Sequence, residues 1–332
     1  MSEEPQPSGV VDPALQACHD FWFSLIQKAM DHRSFDTLCT LLRPRGMHDA
    51  GWDVLDESEA TFEDFNWMLN TAQEARGKAT ARRLALHYYC FVIEMNPFHE
   101  MIMNLLRCIS GERYLALPFW HLARRKSKAD QSGVVLPSMA RKLREIIKLA
   151  TALGESDLVS KLQYVFDDRL RNAVAHSDYV LTEKELRSFE SRPLMVMSLK
   201  ELDRKINYTS RFISGLLKAA ANTRYALSRT KRYRKWDNYE VLELLSNEKG
   251  VYGFNVHFSN GNKSTFERTK HGVKLINMRL GNGVGFMVGM IDKLEPVWKV
   301  DGVPVADWDQ LNRPSAVSLA DNDLKKSADV RD

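Results

Sequence analysis

Residues 167–179 read DDRLRNAVAHSDY, a stretch that gathers acidic, guanidinium, amide and imidazole groups within otherwise ordinary helical sequence. Each residue of a helix is rotated by about 100° from the one before it. Asp167 and Asp168 precede Arg171 by four and three residues, so either carboxylate is expected to pair with the guanidinium. Asn172 and His176 share a second face, and Arg171 and His176 point about 140° apart. Both can address one ligand only if the helix loosens before His176 or if a second copy of the segment faces the first.

The motif of Arg171, Asn172 and His176 resembles the R-N-x-x-x-H form of the R-x4-H motif of HEPN (higher eukaryotes and prokaryotes nucleotide-binding) domains. The Ser-Asp-Tyr at residues 177–179 is similar to that family's usual exit from the motif. The resemblance covers roughly residues 138–230. It implies a small helical domain that forms a homodimer, in which two motifs meet at one composite site. Many such domains are metal-independent endoribonucleases in toxin–antitoxin, phage-defence and RNA-processing systems.

Metal-independent RNA cleavage needs these residue types. The 2′-OH of RNA attacks the adjacent phosphate, which requires a base for its proton, an acid for the leaving 5′-oxygen and a cation for the phosphorane charge. Histidine is suited to proton transfer at neutral pH, which predicts that role for His176. Arg171 is predicted to bind phosphate oxygens, and Asn172 to position the phosphate or His176. Three residues are predicted to support this site: Asp167, Asp168 and Tyr179. The resemblance implies products with 2′,3′-cyclic phosphate and 5′-OH ends, without a metal or cofactor.

The same residues also have purely structural interpretations. An arginine beside an aspartate is often only a helix-surface ion pair, and a histidine near a helix end often only satisfies the last carbonyls. Three functions therefore stay open: an endoribonuclease, a non-catalytic HEPN-like dimeric interaction module, and a regulator that senses a nucleotide through Arg171 and His176. The intact Arg, Asn and His set favours catalysis, whereas the modest net charge of +4 does not.

The positive charge of the chain is concentrated in residues 224–235, RYALSRTKRYRK, which contain no acidic residue. Tyr225, Tyr233 and Trp236 lie within or beside this run, and such a mixture suits a phosphate backbone with stacked bases. A basic run after a helix is also often a solvated connector. In company with the motif, however, it predicts RNA as a partner. The resemblance to HEPN domains implies two further partners, a second copy of the chain and a protein antitoxin or inhibitor. The predicted RNA-binding residues are Arg224, Arg229, Lys231, Arg232, Arg234 and Lys235.

Composition places the chain in the ordinary globular class, with 44% hydrophobic and 27% charged residues in 332. The first nine residues lack the basic start and apolar run of a signal peptide, and no stretch offers eighteen uncharged apolar residues. We therefore expect a soluble, cytoplasmic protein that does not bind membranes. Its four cysteines are far apart and form no C-x-x-C pair, so no metal site is predicted.

The predicted fold is mainly α, with a multi-helix N-terminal region and an HEPN-like helical bundle followed by a small antiparallel β domain (α+β). The expected boundaries are a disordered N-terminus at 1–12, an N-terminal helical region at 13–126, an HEPN-like helical domain at 138–235, a β-rich domain at 236–314 and a disordered tail at 315–332. Asn-Gly at 260–261 and 282–283 predicts hairpins within a sheet of four or five strands.

Local signals predict several helix boundaries. Asp12-Pro13 is typical of a helix start, and Ser198 with Glu201 forms a capping box for a long helix that reaches about Ser228. Four further segments receive a local prediction. They are a helix from Glu112 kinked at Pro118, one helix from Glu155 that ends in the motif, a helical turn at Thr182–Ser188 and a helix at Tyr239–Ser246.

Overall fold

The computed structural model of the chain describes residues 12–42, parts of 60–71, 77–115, 117–125, 134–135, 137–188, 194–229, 241–257, 263–269 and 272–276, with short strands between 280 and 304. Most of the described residues are helical, and small antiparallel sheets complete the fold, which confirms the predicted mainly α, α+β class. The helices are α1 Pro13–His32, α2 Ser34–Leu42, α3 Lys78–Glu94, α4 Asn96–Ile109, α5 Met139–Ala152, α6 Ser156–Val165, α7 Asp168–Ala175 and α8 Leu199–Arg229.

The strands are short and form separate small sheets. They are β1 Arg124–Arg125, β2 Val134–Val135, β3 Tyr179–Leu181, β4 Glu185–Ser188, β5 Met195–Ser198, β6 Val241–Asn247, β7 Gly250–His257, β8 Lys263–Thr269, β9 Gly272–Ile276, β10 Leu280–Gly281, β11 Gly285–Phe286, β12 Pro296–Val297, β13 Lys299–Val300 and β14 Val303–Pro304. Among the described helices, none combines the length and apolar character needed to cross a membrane.

The ends of two helices follow the local sequence signals. The Asp12 carboxylate accepts the N–H of Ala14 at 2.9 Å, with Pro13 at the first helical position of α1. Ser198 Oγ accepts the N–H of Glu201 at 3.2 Å at the start of α8. Capping satisfies N–H groups that have no partner inside the helix. Both predicted starts are thereby confirmed.

Helices α1 and α8 pack closely and form the centre of the core. Trp22 is fully buried, its indole N–H donates to the carbonyl of Phe212 at 2.8 Å, and the two rings are 4.7 Å apart. Gly215 permits the close approach, because a Cβ at this position would lie 2.8 Å from the Cβ of Cys18. A single apolar cluster extends from Cys18 to Ala220 and includes residues of every helix from α1 to α8. The predicted boundary between 126 and 138 therefore does not divide the core.

Two predicted helical segments of the first 200 residues do not form an α-helix. Instead of a helix from Glu112, residues 112–115 are irregular and only a 3₁₀ turn forms at Trp120–Leu122. Pro118 lacks the N–H that a helix needs there. The predicted turn at Thr182–Ser188 contains strand β4, which pairs with β3 and β5 in an antiparallel sheet. Leu186 and Ser188 are buried while Arg187 is exposed, which is the alternation of a half-buried strand.

The C-terminal sheet contains β6, β7, β8 and β9 in antiparallel order, with β12 parallel to the outer side of β6. The helix predicted at Tyr239–Ser246 is wrong, because Val241–Asn247 pairs with β7 as a strand. The sheet contacts the helices through Phe254, whose ring is 5.2 Å from that of Phe35, and through Arg268, which donates to the Leu42 carbonyl at 2.8 Å. Both Asn-Gly hairpin signals and the tail at 315–332 lie outside the described residues, as does the N-terminus before Asp12.

Candidate functional site

The motif helix α7 begins at a break in the chain and does not continue the preceding helix, contrary to the prediction of one helix from Glu155. Helix α6 ends at Val165, and the Asp167 carboxylate accepts the N–H groups of Arg169 and Leu170, each at 3.1 Å. Asp167 also pairs with Lys205 of α8 at 3.2 Å. Asp167 therefore caps α7 and ties it to the longest helix of the fold.

The hydroxyl of Tyr89 holds this break in place. It donates to the Val165 carbonyl at 2.7 Å and accepts the N–H of Asp167 at 3.0 Å. Burial raises the pKa of Tyr89 well above its usual value, so the phenol stays protonated and can donate. The side chain of Tyr89 thus supplies hydrogen-bond partners for the Val165 carbonyl and the Asp167 N–H, two backbone groups at the interruption between α6 and α7. These bonds fix the position at which α7 starts.

We expect Tyr89→Phe to lower the free energy of unfolding by about 1–3 kcal/mol, because two buried backbone groups lose their partner. Tyr88→Phe is the matched control. The Tyr88 hydroxyl donates to Ser210 Oγ at 2.8 Å, and the loss of this hydrogen bond is expected to cost about 1 kcal/mol. Urea unfolding of both variants measures the difference. Equal losses would contradict the bridging role of Tyr89.

Arg171 pairs with Glu94, the last residue of α3, and not with Asp167 or Asp168 as predicted. Its Nε and Nη2 groups contact the Glu94 carboxylate, and its Nη1 donates to Asn172 Oδ1 at 2.7 Å. The predicted pairing is wrong because Asp167 precedes α7 and is occupied as its cap, while Asp168 is exposed in the first turn. Sequence reasoning missed Glu94, whose only signal is an acid at the end of a largely apolar helix.

The guanidinium keeps hydrogen-bonding capacity beyond these contacts. It carries five N–H donors, and the described residues engage the Nε–H, one N–H of Nη2 and one N–H of Nη1. One N–H on each terminal nitrogen remains for a ligand. The Arg171 side chain is 31% exposed, so an anion can reach it from solvent. Phosphate and carboxylate groups both have the geometry that matches paired guanidinium donors.

The end of α7 presents His176 to solvent. His176 is the C-terminal capping residue and is exposed. Beyond it, the N–H groups of Ser177 and Asp178 donate to the carbonyls of Val174 and Ala173 at 3.1 and 2.9 Å. Ser177 adopts a left-handed backbone with φ of 57°, as this type of helix end requires. This geometry ends α7 at Ala175 and places the His176 imidazole at the C-terminal end of the helix.

Replacement of Ser177 by glycine is expected to stabilise the protein by about 0.5–1 kcal/mol, because glycine adopts the left-handed conformation without steric cost. Ser160→Gly is the matched control, since Ser160 is an exposed residue inside α6. There glycine is expected to destabilise by about 0.5 kcal/mol, because its helix propensity is lower than that of serine. Opposite signs in thermal unfolding are the predicted result. Destabilisation by both variants would contradict it.

The structure brings Arg171 and Asn172 into contact, and it places His176 at the C-terminal end of the same helix. The described hydrogen bonds of Arg171 do not include one to His176, which lies five residues further along α7. Tyr179 is half-buried in β3 and packs against the core. The predicted set therefore places the guanidinium of Arg171, held by Glu94 and Asn172, and the exposed His176 on one short helix.

The predicted RNA-binding run is only partly described. Arg224 is half-buried at the junction of α8 and the C-terminal sheet, where Gly250 with φ of 110° approaches its backbone. The Nε atom of Arg224 is buried, which gives this residue a structural position. Arg229 is the last residue of α8, and the structure does not describe its side chain. Four predicted contacts lie outside the described residues: Lys231, Arg232, Arg234 and Lys235.

Comparisons with known proteins add no further information on the site. No protein-family model matches the chain, and no curated protein or solved structure matches it. The functional argument therefore depends on the geometry of α3, α7 and their neighbours.

Proposed function

We propose that this protein is a nuclease that cleaves RNA without a metal ion and, more particularly, an HEPN-like endoribonuclease. The observation that carries the proposal is the Arg171 guanidinium, which Glu94 and Asn172 hold in place while two N–H donors remain for a ligand. The exposed His176 at the tip of the same helix supplies the proton-transfer group.

In the proposed reaction the RNA 2′-OH attacks its own 3′-phosphate. A bond forms between the 2′-oxygen and phosphorus, and the bond between phosphorus and the 5′-oxygen breaks. A base accepts the 2′-OH proton and an acid donates a proton to the departing 5′-oxygen, which are roles for His176. Arg171 stabilises the extra charge on the phosphorane. The products carry 2′,3′-cyclic phosphate and 5′-OH ends.

The proposal includes a homodimer. Arg171 and His176 are five residues apart, about 140° around an ideal helix, so a composite site that combines Arg171 of one copy with His176 of another would supply both groups to one phosphate. RNA is the proposed substrate, and the basic residues from Arg229 to Lys235 are proposed to bind its backbone. A protein antitoxin or inhibitor is the further partner that a toxin or phage-defence role would require.

A second candidate is the non-catalytic dimeric interaction module. The observation that favours it is the structural use of the same residues. Arg171 and Glu94 join α7 to α3, and Tyr89 joins α3 to the start of α7. In that case the motif residues serve to hold α7 against α3. Substitution of these residues should then affect folding or dimer formation.

Incubation of the purified chain with a mixed RNA pool in the presence of EDTA tests the proposed function. We expect cleavage that EDTA does not inhibit, with 5′-OH ends that polynucleotide kinase labels without prior phosphatase treatment. His176→Ala, purified in the same way, controls for contaminating ribonuclease. Intact RNA, with a folded dimeric parent protein, would favour the interaction module.

A further inference from the structure

The three-stranded sheet of β3, β4 and β5 has an outer face that is apolar where a solvated face is normally polar. Its inner face belongs to the core through Leu186, Met195 and Met197. On the outer side, Val180 and Val196 are each 51% exposed. Antiparallel sheets that face water usually alternate apolar residues inward with polar residues outward. The two valines break this alternation, so the outer face is a candidate contact surface.

The two valines lie in one row across the sheet, with Arg187 between them. Val180 pairs with Arg187, and Arg187 pairs with Val196, in the strand register, and neighbouring strands are about 4.8 Å apart. Leu194, two residues before Val196, is 46% exposed. Exposed apolar residues that are scattered singly need no explanation, whereas a group of them indicates an interaction surface. Three such side chains therefore lie on or beside one small face.

The charges on this face are complementary to themselves. Glu185 and Arg187, two residues apart on β4, face the same side of the sheet and form an ion pair. Their side chains are 26% and 53% exposed. The guanidinium has five N–H donors, and the described contacts engage the Nε–H and one N–H of Nη2, both with Glu185 Oε1. The pair can therefore accept a further carboxylate and a further cation, and a second copy rotated by 180° presents both.

The sheet follows directly from the motif. Strand β3 begins three residues after His176, a separation of at most about 11 Å along the backbone. The end of α7 is exposed from Ala175 to Ser177, so a protein bound to the sheet lies beside this end of the helix. Arg171 and His176 point about 140° apart on an ideal helix. The proposed site is therefore incomplete without a second copy, which is the partner that this face should bind.

We propose that the outer face of β3, β4 and β5 binds the same face of a second copy of this chain. The inference rests on the homodimer of the proposed function and specifies its interface. Val180 and Val196 supply apolar contacts, and Glu185 of each copy pairs with Arg187 of the other. Three strands of three or four residues cover only about 10 by 13 Å. Even with the exposed end of α7, this area is at the low end for specific complexes, so the dimer dissociates on dilution.

Sedimentation of the full chain over a range of concentrations tests this interface. We expect the parent to show a monomer–dimer equilibrium. Val196→Asp places a charge in the apolar contact and should raise the dissociation constant at least about 10-fold, because the carboxylate loses water there without gaining a partner. Trp67→Asp is the matched control, since Trp67 is 68% exposed and outside this sheet, and it should leave the constant unchanged. A parent that is monomeric at every concentration, or an unchanged constant in folded Val196→Asp, would overturn the inference.

Charge reversal gives a second measurement that does not require Val196→Asp to fold. Arg187→Glu leaves two acids on β4 of the face, and Glu185→Arg leaves two bases, so each variant alone should dimerise at least about 10-fold more weakly than the parent. An equimolar mixture of the two should form a heterodimer, because every acid then meets a base. An ion pair confined to one chain cannot produce this rescue. A mixture that associates no more tightly than either variant alone would overturn the inference.

The outcomes also separate this inference from the proposed function. Dimer formation through this face without any RNA cleavage would remove the ribonuclease and retain the interface. RNA cleavage by a protein whose dimer tolerates all of these substitutions would remove the interface and retain the ribonuclease.

Discussion

His176→Ala is expected to lower the rate of RNA cleavage by about 10²- to 10⁴-fold, the contribution typical of a general acid or base. RNA affinity should change little, because proton transfer acts in the transition state and not in ground-state binding. The melting temperature should also stay near that of the parent, because the His176 side chain is exposed and its removal leaves no cavity. Single-turnover cleavage, a binding titration and thermal unfolding measure the three quantities.

Arg171→Lys tests the role of the guanidinium, the second group that the proposed reaction requires. Lysine keeps the positive charge but lacks the planar fork that contacts Glu94, Asn172 and a phosphate together. We expect a folded protein that binds RNA and cleaves it slowly. Arg169→Ala, at an exposed position of the same helix, is the control and should cleave normally. If His176→Ala unfolds the protein, or if its activity equals that of the parent, the catalytic assignment fails.

The cost to stability of Arg171→Ala is expected to be small. The Arg171 and Glu94 side chains are 31% and 39% exposed, and ion pairs this accessible contribute at most about 1 kcal/mol. A buried pair would have left Glu94 uncompensated and cost about 3–5 kcal/mol. The exposure of both partners therefore allows the function of Arg171 to be tested without unfolding the protein.

The second large effect is a loss of stability in mild acid that originates at His99. Its ring is fully buried and neither nitrogen has a hydrogen-bond partner of normal geometry. Burial, and secondarily the charge of Lys142, lowers the pKa of His99 to about 3. In the unfolded chain histidine binds a proton below about pH 6.5. Only the unfolded state therefore gains a proton as the pH falls from 6.5 towards 3, and stability falls with it.

The expected size of this effect follows from the linkage relation. Each pH unit below 6.5 costs about 1.4 kcal/mol, so His99 should lower the free energy of unfolding by about 2 kcal/mol between pH 7.5 and pH 5. His99→Leu should remove this part of the pH dependence in urea unfolding. The same substitution at exposed His87 is the control and should retain the pH dependence of the parent. Identical slopes for His99→Leu and the parent would show that His99 can protonate in the folded state.

The parts of the fold that sequence predicted correctly depend on local chemistry. The caps at Asp12 and Ser198 use atoms within three residues of each other, so residue type and spacing were sufficient. Local sequence predicted β4 and β6 as helical, but each forms a strand because it pairs with neighbouring strands, β4 with β3 and β5, and β6 with β7. Pairing between strands, and not local propensity, decides such segments.

In the candidate site, too, contacts between near neighbours in sequence could be predicted and contacts between distant residues could not. The spacing of Arg, Asn and His identified the motif. Arg171 and Asn172, which contact each other, are adjacent in sequence. The predicted pairing of Arg171 with an aspartate is wrong because helical spacing applies only within a continuous helix, whereas the helix is interrupted between Val165 and Asp168. Its actual partner, Glu94, is 77 residues away in sequence. Spacing within one helix contains no information on a contact of that range.

The packing of α1 against α8 also determines when this protein can fold during its synthesis. Trp22 and Phe212 are separated by 190 residues, and a ribosome adds about 5–20 residues per second. The apolar face of α1 therefore waits about 10–40 s after its own synthesis before its partner helix has been made. During that interval Trp22 and its neighbours are exposed to other nascent chains. Helix α1 thus stays without this partner far longer than the motif helix, whose cap Asp167 pairs with Lys205 of α8 only 38 residues later in the chain.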